Sequence, residues 1–319
     1  MKSLPSKYIV RLGKFVWTTM WQIMMSQLAP ANKSGEYIRP DSQFRTTTVE
    51  AATGRYRLFV GMGCPWAHRT LVVRVLKGLE DAIAVSLVYP SSSEGIWLLQ
   101  SPYKGCNTVP ELYQLAQPGY QGRCTVPILW DEQTNTIVNN ESAEIIKILN
   151  SQFDEFTTNR DVNLYPDALQ EQCDRWNERI YHRVNNGVYR CGFAQTQAAY
   201  EQACKELFTT LDEIDEFLSS DRYLCGNTVT LADVRLFTTL VRFDTVYYGL
   251  FKCSIRRIQD YTYLSEYLKD LYQLPGVAKT CDPDSVKQDY YGNLFPLNPG
   301  GIIPLGSNIE ELNKPHNRQ

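Results

Sequence analysis

The sequence predicts an α/β domain followed by an all-helical domain, and three observations predict it. Residues 55–88 read strand, turn, helix, strand, an order that requires a parallel strand pair. Residues 125–150 read strand, turn, strand, helix. Beyond residue 166 the apolar positions recur only at helical spacing. Leu169, Cys173, Trp176 and Ile180 share one face, and Tyr200, Cys204, Leu207, Leu211, Ile214 and Leu218 share another. A chain of 319 residues is long enough for two cores.

Taken in order, the chain opens with Lys2, Lys7, Arg11 and Lys14 ahead of an apolar-leaning segment, 15–28, and Ala29-Pro30-Ala31 imitates a leader-cleavage site. Thr18, Thr19, Gln22, Ser26 and Gln27 interrupt that segment, and it is too short to span a bilayer. It reads as a helix resting on the protein body, with no stable membrane insertion. Contact of Trp17 and Trp21 with a membrane surface or a subunit partner stays open. Residues 32–54 are polar and rich in turn formers, so 1–54 form an N-terminal arm.

The first strand alternates Tyr56, Leu58 and Val60 with Arg57 and Phe59. Gly61 and Gly63 supply a flexible turn. Pro65 suits a first helical position, where its missing N–H costs nothing, and Val72, Val75, Leu76 and Leu79 continue the helix. Residues 83–88 form a second strand. Residues 90–122 show no clear period and read as an insertion. Strands at 125–130 and 136–138 follow, and Asn139-Asn140-Glu141-Ser142 opens a helix bearing Ile145, Ile146 and Leu149. The order over 55–150 is that of a thioredoxin-like domain. Residues 151–166 read as a linker and 167–281 as the helical domain, with a Thr230-x-x-Asp233 helix start and a stop before Pro275-Gly276. The tail, 282–319, has little period and reads as a surface strap.

Composition narrows the chemistry. A net charge of −3 gives no nucleic-acid surface. Nine cysteines without a regular framework favour reduced thiols and a cytoplasmic setting. Three histidines, none clustered with cysteine at zinc spacing, predict no metal site.

Cys64 is the leading candidate nucleophile. At the positive end of a helix its thiol pKa is expected to fall. Ala67 stands where a dithiol enzyme has its second cysteine, so an external thiol must resolve any mixed disulfide. Val126-Pro127 is the second signal. In thioredoxin-like folds a cis proline precedes the third strand and faces the active cysteine, leaving the Val126 backbone for an extended peptide. A plain edge-strand proline is the alternative. Glu141-Ser142 is the third. A helix start with a hydroxyl suits a carboxylate, and Glu141 suits an ammonium, so a zwitterion fits both; simple capping fits equally.

Further motifs join these. Gly61-Met62-Gly63-Cys64-Pro65-Trp66-Ala67-His68-Arg69, Arg123-Cys124-Thr125-Val126-Pro127, Asn139-Asn140-Glu141-Ser142, Asn185-Asn186-Gly187-Val188-Tyr189 with Gly192-Phe193-Ala194, and Asp289-Tyr290-Tyr291-Gly292 stand along nearly the whole chain. So do Ser34-Gly35-Glu36-Tyr37, Ser42-Gln43-Phe44-Arg45 and Asn298-Pro299-Gly300-Gly301. Together they resemble the Xi-class glutathione transferases, the glutathionyl-hydroquinone reductases. The resemblance implies the glutathione transferase fold, a homodimer, glutathione as co-substrate and Cys64 as nucleophile. It implies glutathione contacts at Trp97, Arg123, Val126, Pro127, Glu141 and Ser142, and substrate-site tyrosines at Tyr189, Tyr290 and Tyr291. In the implied reaction Cys64 removes the glutathionyl group from a glutathionyl-hydroquinone. An omega-like thiol transferase or dehydroascorbate reductase is the alternative, and it has no need of the tail tyrosines. Two positions depart from the family's habit. The chain reads Gly95-Ile96-Trp97-Leu98 where Gly-Trp-Thr-Phe is common, and Asp289 where histidine usually precedes the tyrosine pair.

Overall fold

The structure is a computed structural model that describes residues 7–306 and 309–318; Lys2 lies outside the described residues. A single six-stranded mixed sheet forms the N-terminal half, with strand order β4-β3-β2-β1-β5-β6. Its centre is β1 (Tyr56–Gly61), which runs parallel to β2 (Ile83–Pro90) with Tyr56 opposite Ile83. On its other edge β1 pairs antiparallel with β5 (Ile128–Asp131), which pairs with β6 (Thr136–Asn139). Leu58, Phe59 and Val60 are all fully buried because β1 is covered on both faces, and this is why its polar alternation is imperfect. Helices α2 (Pro65–Leu76) and α4 (Ser142–Ser151) pack side by side.

Residues 90–122, read from sequence as an aperiodic insertion, are instead part of the sheet. They supply β3 (Trp97–Tyr103), β4 (Cys106–Thr108) and α3 (Val109–Ala116). The start of α3 is a capping box. Thr108 Oγ1 accepts from the Glu111 N–H at 3.2 Å, and the Glu111 carboxylate accepts from the N–H of Thr108 at 2.9 Å. With Val109, Leu112 and Tyr113 buried, α3 packs across the sheet against β3, β4 and β6.

The C-terminal half is helical: α5 (Gln170–Ile180), α6 (Gly187–Gly192), α7 (Gln197–Phe217), α8 (Leu231–Arg242) and α9 (Thr262–Gln273). A wide π-turn over Tyr181–Asn185 leads from α5 toward α6, and a second over Phe243–Tyr247 extends α8. Such turns re-aim side chains at functional sites, and these two place Asn185 and Tyr247. The tail is more than a strap. It carries α10 (Pro283–Asn293), capped by Asp282 and burying Val286, Tyr290 and Tyr291.

The arm begins with α1 (Lys7–Leu28), longer than the apolar segment suggested. Only its last two turns rest on the body, where Met25 is buried and Trp21 Nε1 donates to Pro296 O at 3.2 Å. Beyond it the arm crosses to the sheet and forms a bridge at Arg45 and Asn139.

Asp233 ties the helical domain together. Its buried carboxylate accepts from the N–H of Leu224 and Thr230 at 2.9 and 2.7 Å, and from the hydroxyls of Thr230 and Tyr267 at 2.8 Å each. Asp233→Ala strands four buried donors, and equilibrium denaturation should show a loss of about 3–5 kcal/mol. A loss below about 1 kcal/mol would show that these bonds contribute little.

Candidate active site

Cys64 is the N-cap of α2, extended at φ −76° and ψ 113°, and only partly buried. Its Sγ lies 3.6 Å from the carbonyl oxygen of Val126, and the Val126–Pro127 peptide is cis. Burial is the strongest influence on the thiol and pushes its pKa up. The backbone N–H groups of Ala67 and Trp66, together with Arg39 and Arg242, pull the other way. The expected helix-end effect is therefore present, but burial outweighs it and the net direction is opposite to the sequence expectation.

Beside the sulfur a cavity of about 310 Å³ opens between arm, sheet and α4. Arg123, Val126, Pro127, Glu141 and Ser142 all line it. Glu141 caps α4, accepting from the Ala143 N–H at 3.1 Å, and accepts from Ser42 Oγ of the arm at 3.0 Å. Ser142 Oγ accepts from the buried Arg69 guanidinium at 3.3 Å. Arg39, Ser42 and Trp66 complete the wall, and sequence reasoning assigned none of them a contact. The Arg39 guanidinium lies 4.0 Å from the centre of the Trp66 ring and that of Arg69 lies 4.4 Å from it. Trp97, expected among these contacts, is not in the lining. Its ring closes on Gly61, where a Cβ would come within 2.5 Å of it.

Three phenols stand near Cys64. Tyr189 and Tyr290 place their hydroxyls 2.5 Å apart, and the Tyr247 hydroxyl is 3.1 Å from that of Tyr290. Trp66 stacks on Tyr189, and Phe193 and Phe251 pack around it. Burial drives all three phenols above their ordinary pKa, and a charge on Cys64 adds to this at Tyr189 and Tyr247. They are proton donors at neutral pH, not phenolates. Tyr291 points elsewhere and donates to Thr245 O at 3.3 Å. Tyr247 was not singled out from sequence, since one buried tyrosine among twenty carries no local mark.

Beneath the thiol lies a polar clamp. The buried Arg242 guanidinium donates to the carbonyls of Met62 at 2.7 Å and Gly63 at 3.1 Å, and lies 2.8 Å from His68 Nδ1. Burial and the Arg242 charge push His68 down, so the imidazole is neutral. Its Nδ1 accepts from Arg242, which puts its proton on Nε2, 2.7 Å from Thr280 Oγ1. Asp289 completes the clamp by accepting from the Gly63 N–H at 3.0 Å. A Cβ on Gly63 would come within 2.3 Å of that carboxylate. Neither Gly61 nor Gly63 has positive φ, so both are needed for close approach rather than for turn flexibility. Among the described residues no cluster of three metal-ligating side chains occurs.

Family models for the glutathione S-transferase N-terminal and C-terminal domains match residues 63–152 and 197–270. Glutathionyl-hydroquinone reductase YqjG of Escherichia coli is 43% identical, covering 95% of this chain and 96% of its own. Glutathionyl-hydroquinone reductase PcpF of Sphingobium chlorophenolicum is also 43% identical, covering 91% and 94%. The glutathione-bound structure of YqjG superposes with TM-score 0.80 at 45% identity, covering 84% and 89% of the two chains. The glutathione-S-transferase Xi of Phanerochaete chrysosporium superposes with TM-score 0.83 at 40% identity, covering 87% and 94%. The chain belongs to the Xi class of glutathione transferases.

Asp289 has an electrostatic consequence for the fold. Burial pushes its carboxyl from 3.8 up to about 6, while the Gly63 N–H and Arg242 pull it down and Asp282 adds to the rise. A carboxyl that binds its proton more tightly folded than unfolded stabilises the fold at low pH. That contribution is lost as pH rises through about 6. Asp289→Asn keeps an acceptor for Gly63 but cannot ionise. Between about pH 4 and about pH 7 the unmodified chain should lose about 2 kcal/mol relative to this variant, after allowance for partial exposure. Denaturation at a series of pH values reads the difference, and parallel profiles would refute the assignment.

Proposed function

We propose that this Xi-class chain is a glutathionyl-hydroquinone reductase that uses glutathione as co-substrate and Cys64 as its nucleophile. The observation that carries the reading is the position of Cys64. Its sulfur lies 3.6 Å from the carbonyl of Val126, which lines a polar cavity fit for a peptide zwitterion, and near enough to Tyr189 and Tyr247 for its charge to act on both. The cis Val126–Pro127 bond leaves the Val126 backbone at the sulfur for the peptide part of glutathione. Ser142 and the start of α4 suit its glutamyl carboxylate, Glu141 suits its ammonium, and Arg123 at the rim suits its other carboxylate.

The reaction follows from the chemistry of each side. Cys64 thiolate, stabilised by the N–H groups of Trp66 and Ala67, attacks the glutathionyl sulfur. The carbon–sulfur bond breaks and its electron pair goes to the ring carbon, which needs a proton. Tyr189 and Tyr290 are neutral and hydrogen-bonded to each other, so they can hold the ring oxygens and supply that proton. Hydroquinone leaves and Cys64 is left as a mixed disulfide with glutathione. With Ala67 in place of a second cysteine, a second glutathione thiolate attacks that disulfide and releases oxidised glutathione. A homodimer belongs to the same reading, supported by the family resemblance; sedimentation of the full chain measures it.

Turnover of a glutathionyl-hydroquinone should exceed that of dehydroascorbate and hydroxyethyl disulfide, and a reversed order would favour the omega-like alternative. Cys64→Ala should abolish turnover, and persistent activity would remove Cys64 from the mechanism. Among the tyrosines, Tyr290→Phe should lower kcat on the hydroquinone by roughly 100-fold. Tyr291→Phe should change it less than about threefold, because its hydroxyl meets the backbone at Thr245 and Leu250 rather than another phenol. Equal losses in the two variants would contradict the assigned proton donors.

A further inference from the structure

Helix α1 presents an apolar face that the other described residues leave uncovered. Every residue from Lys7 to Met20 is exposed, so nearly two-thirds of a 22-residue helix stands clear of the body. Helices in water owe most of their stability to packing of an apolar face. This one is rich in branched and aromatic residues of modest helix propensity, among them Ile9, Val10, Phe15, Val16 and Trp17. Ile9, Leu12, Val16, Met20 and Ile23 follow one another at helical spacing and are 46–65% exposed. The apolar surface continues onto the tail, where the Phe295 ring lies 6.4 Å from that of Trp17.

Charge selects among the occupants of such a face. The helix carries Lys7, Arg11 and Lys14 and no acidic residue, within a chain of net charge −3. The three cations lie on the side opposite the Ile9–Val16–Met20 stripe, at 100° per residue. An anionic lipid surface complements the cations and accepts the apolar stripe at the boundary between headgroups and acyl chains. Trp17, about half exposed, is the residue type that favours that boundary. Among the described residues no helix is long and apolar enough to cross a membrane, so the contact is peripheral.

We propose that α1 docks this protein on the surface of an anionic lipid bilayer, with the Ile9, Leu12, Val16, Met20 and Ile23 stripe buried in the interface. The docking element is distinct from the reaction centre, because none of the stripe residues lines the cavity.

Co-sedimentation of the full chain with phosphatidylcholine vesicles, with and without phosphatidylglycerol, tests this. Binding to the anionic vesicles should be at least about tenfold tighter than to neutral ones and should weaken as salt rises. The double variant V16E/M20E should lose vesicle binding while keeping unmodified turnover on a soluble substrate, since both side chains are exposed. The triple variant K7Q/R11Q/K14Q should bind the two vesicle types alike. Failure of the unmodified chain to sediment with anionic vesicles would overturn the proposal, as would equal binding to both types. So would a dimer, measured by sedimentation velocity, that V16E/M20E converts to monomer, because the face would then belong to a subunit contact.

Discussion

The Arg242 guanidinium at the end of α8 is the contact on which the rest of the site depends. It is buried, reaches across to the turn before Cys64, and occupies the Met62 and Gly63 carbonyls. A buried guanidinium is tolerated only when its donors are met. Here they are met by two carbonyls of the turn, by Thr238 O on its own helix and by a neutral imidazole. The arrangement fixes the thiol relative to the helical domain. Removing the guanidinium would leave the turn's carbonyls and His68 without their donor, which is why the two halves of the chain share one site rather than merely touch.

A second buried arginine performs the equivalent task on the cavity side. Arg69 on α2 donates to Ser142 at the start of α4 and to Asn185 Oδ1 in the π-turn at 2.8 Å. Asn185 passes the connection on through its amide to Arg235 O and Thr239 Oγ1 of α8. The motif segments around Cys64, Ser142 and Tyr189 are therefore joined by hydrogen bonds as well as by sequence pattern. The arm adds the remaining wall, with Ser42 on Glu141 and an Arg45–Glu144 ion pair at its base.

Sequence periodicity and turn chemistry made much of this legible. The Cys64 strand–helix junction, the Val126-Pro127 step and the α4 start each have local signatures, and the structure brings them to one place. What stayed hidden depends on contacts distant in sequence. At 97–108, β4 is a three-residue edge strand and β3 beside it buries only Leu99, so the apolar pattern is weak, although Thr108-x-x-Glu111 was a readable helix start. Tyr290 and Tyr291 are adjacent and chemically alike. Only the path of α10 turns one hydroxyl toward Tyr189 and the other toward Thr245. The direction of the Cys64 shift was misjudged because a helix end can be read from sequence, whereas burial by distant segments cannot.

The phenol cluster bears most directly on which chemistry the site performs. In disulfide exchange the leaving group is a thiolate, stable in water at modest pH and in no need of a proton at the moment of departure. Such a reaction has no use for three tyrosines whose hydroxyls are turned onto one another. Breaking a bond from sulfur to an aromatic carbon is different, because the electron pair left on carbon must be protonated as it forms. A buried phenol raised above its ordinary pKa is a weak acid in the resting site, but it stays fully protonated and its donor direction is fixed by neighbours. Tyr290, held by Tyr189 on one side and Tyr247 on the other, meets both conditions. The burial that makes these phenols reluctant to ionise also pushes the Cys64 thiol up. The amides of Trp66 and Ala67 pull the other way and are the groups positioned to stabilise charge on the sulfur.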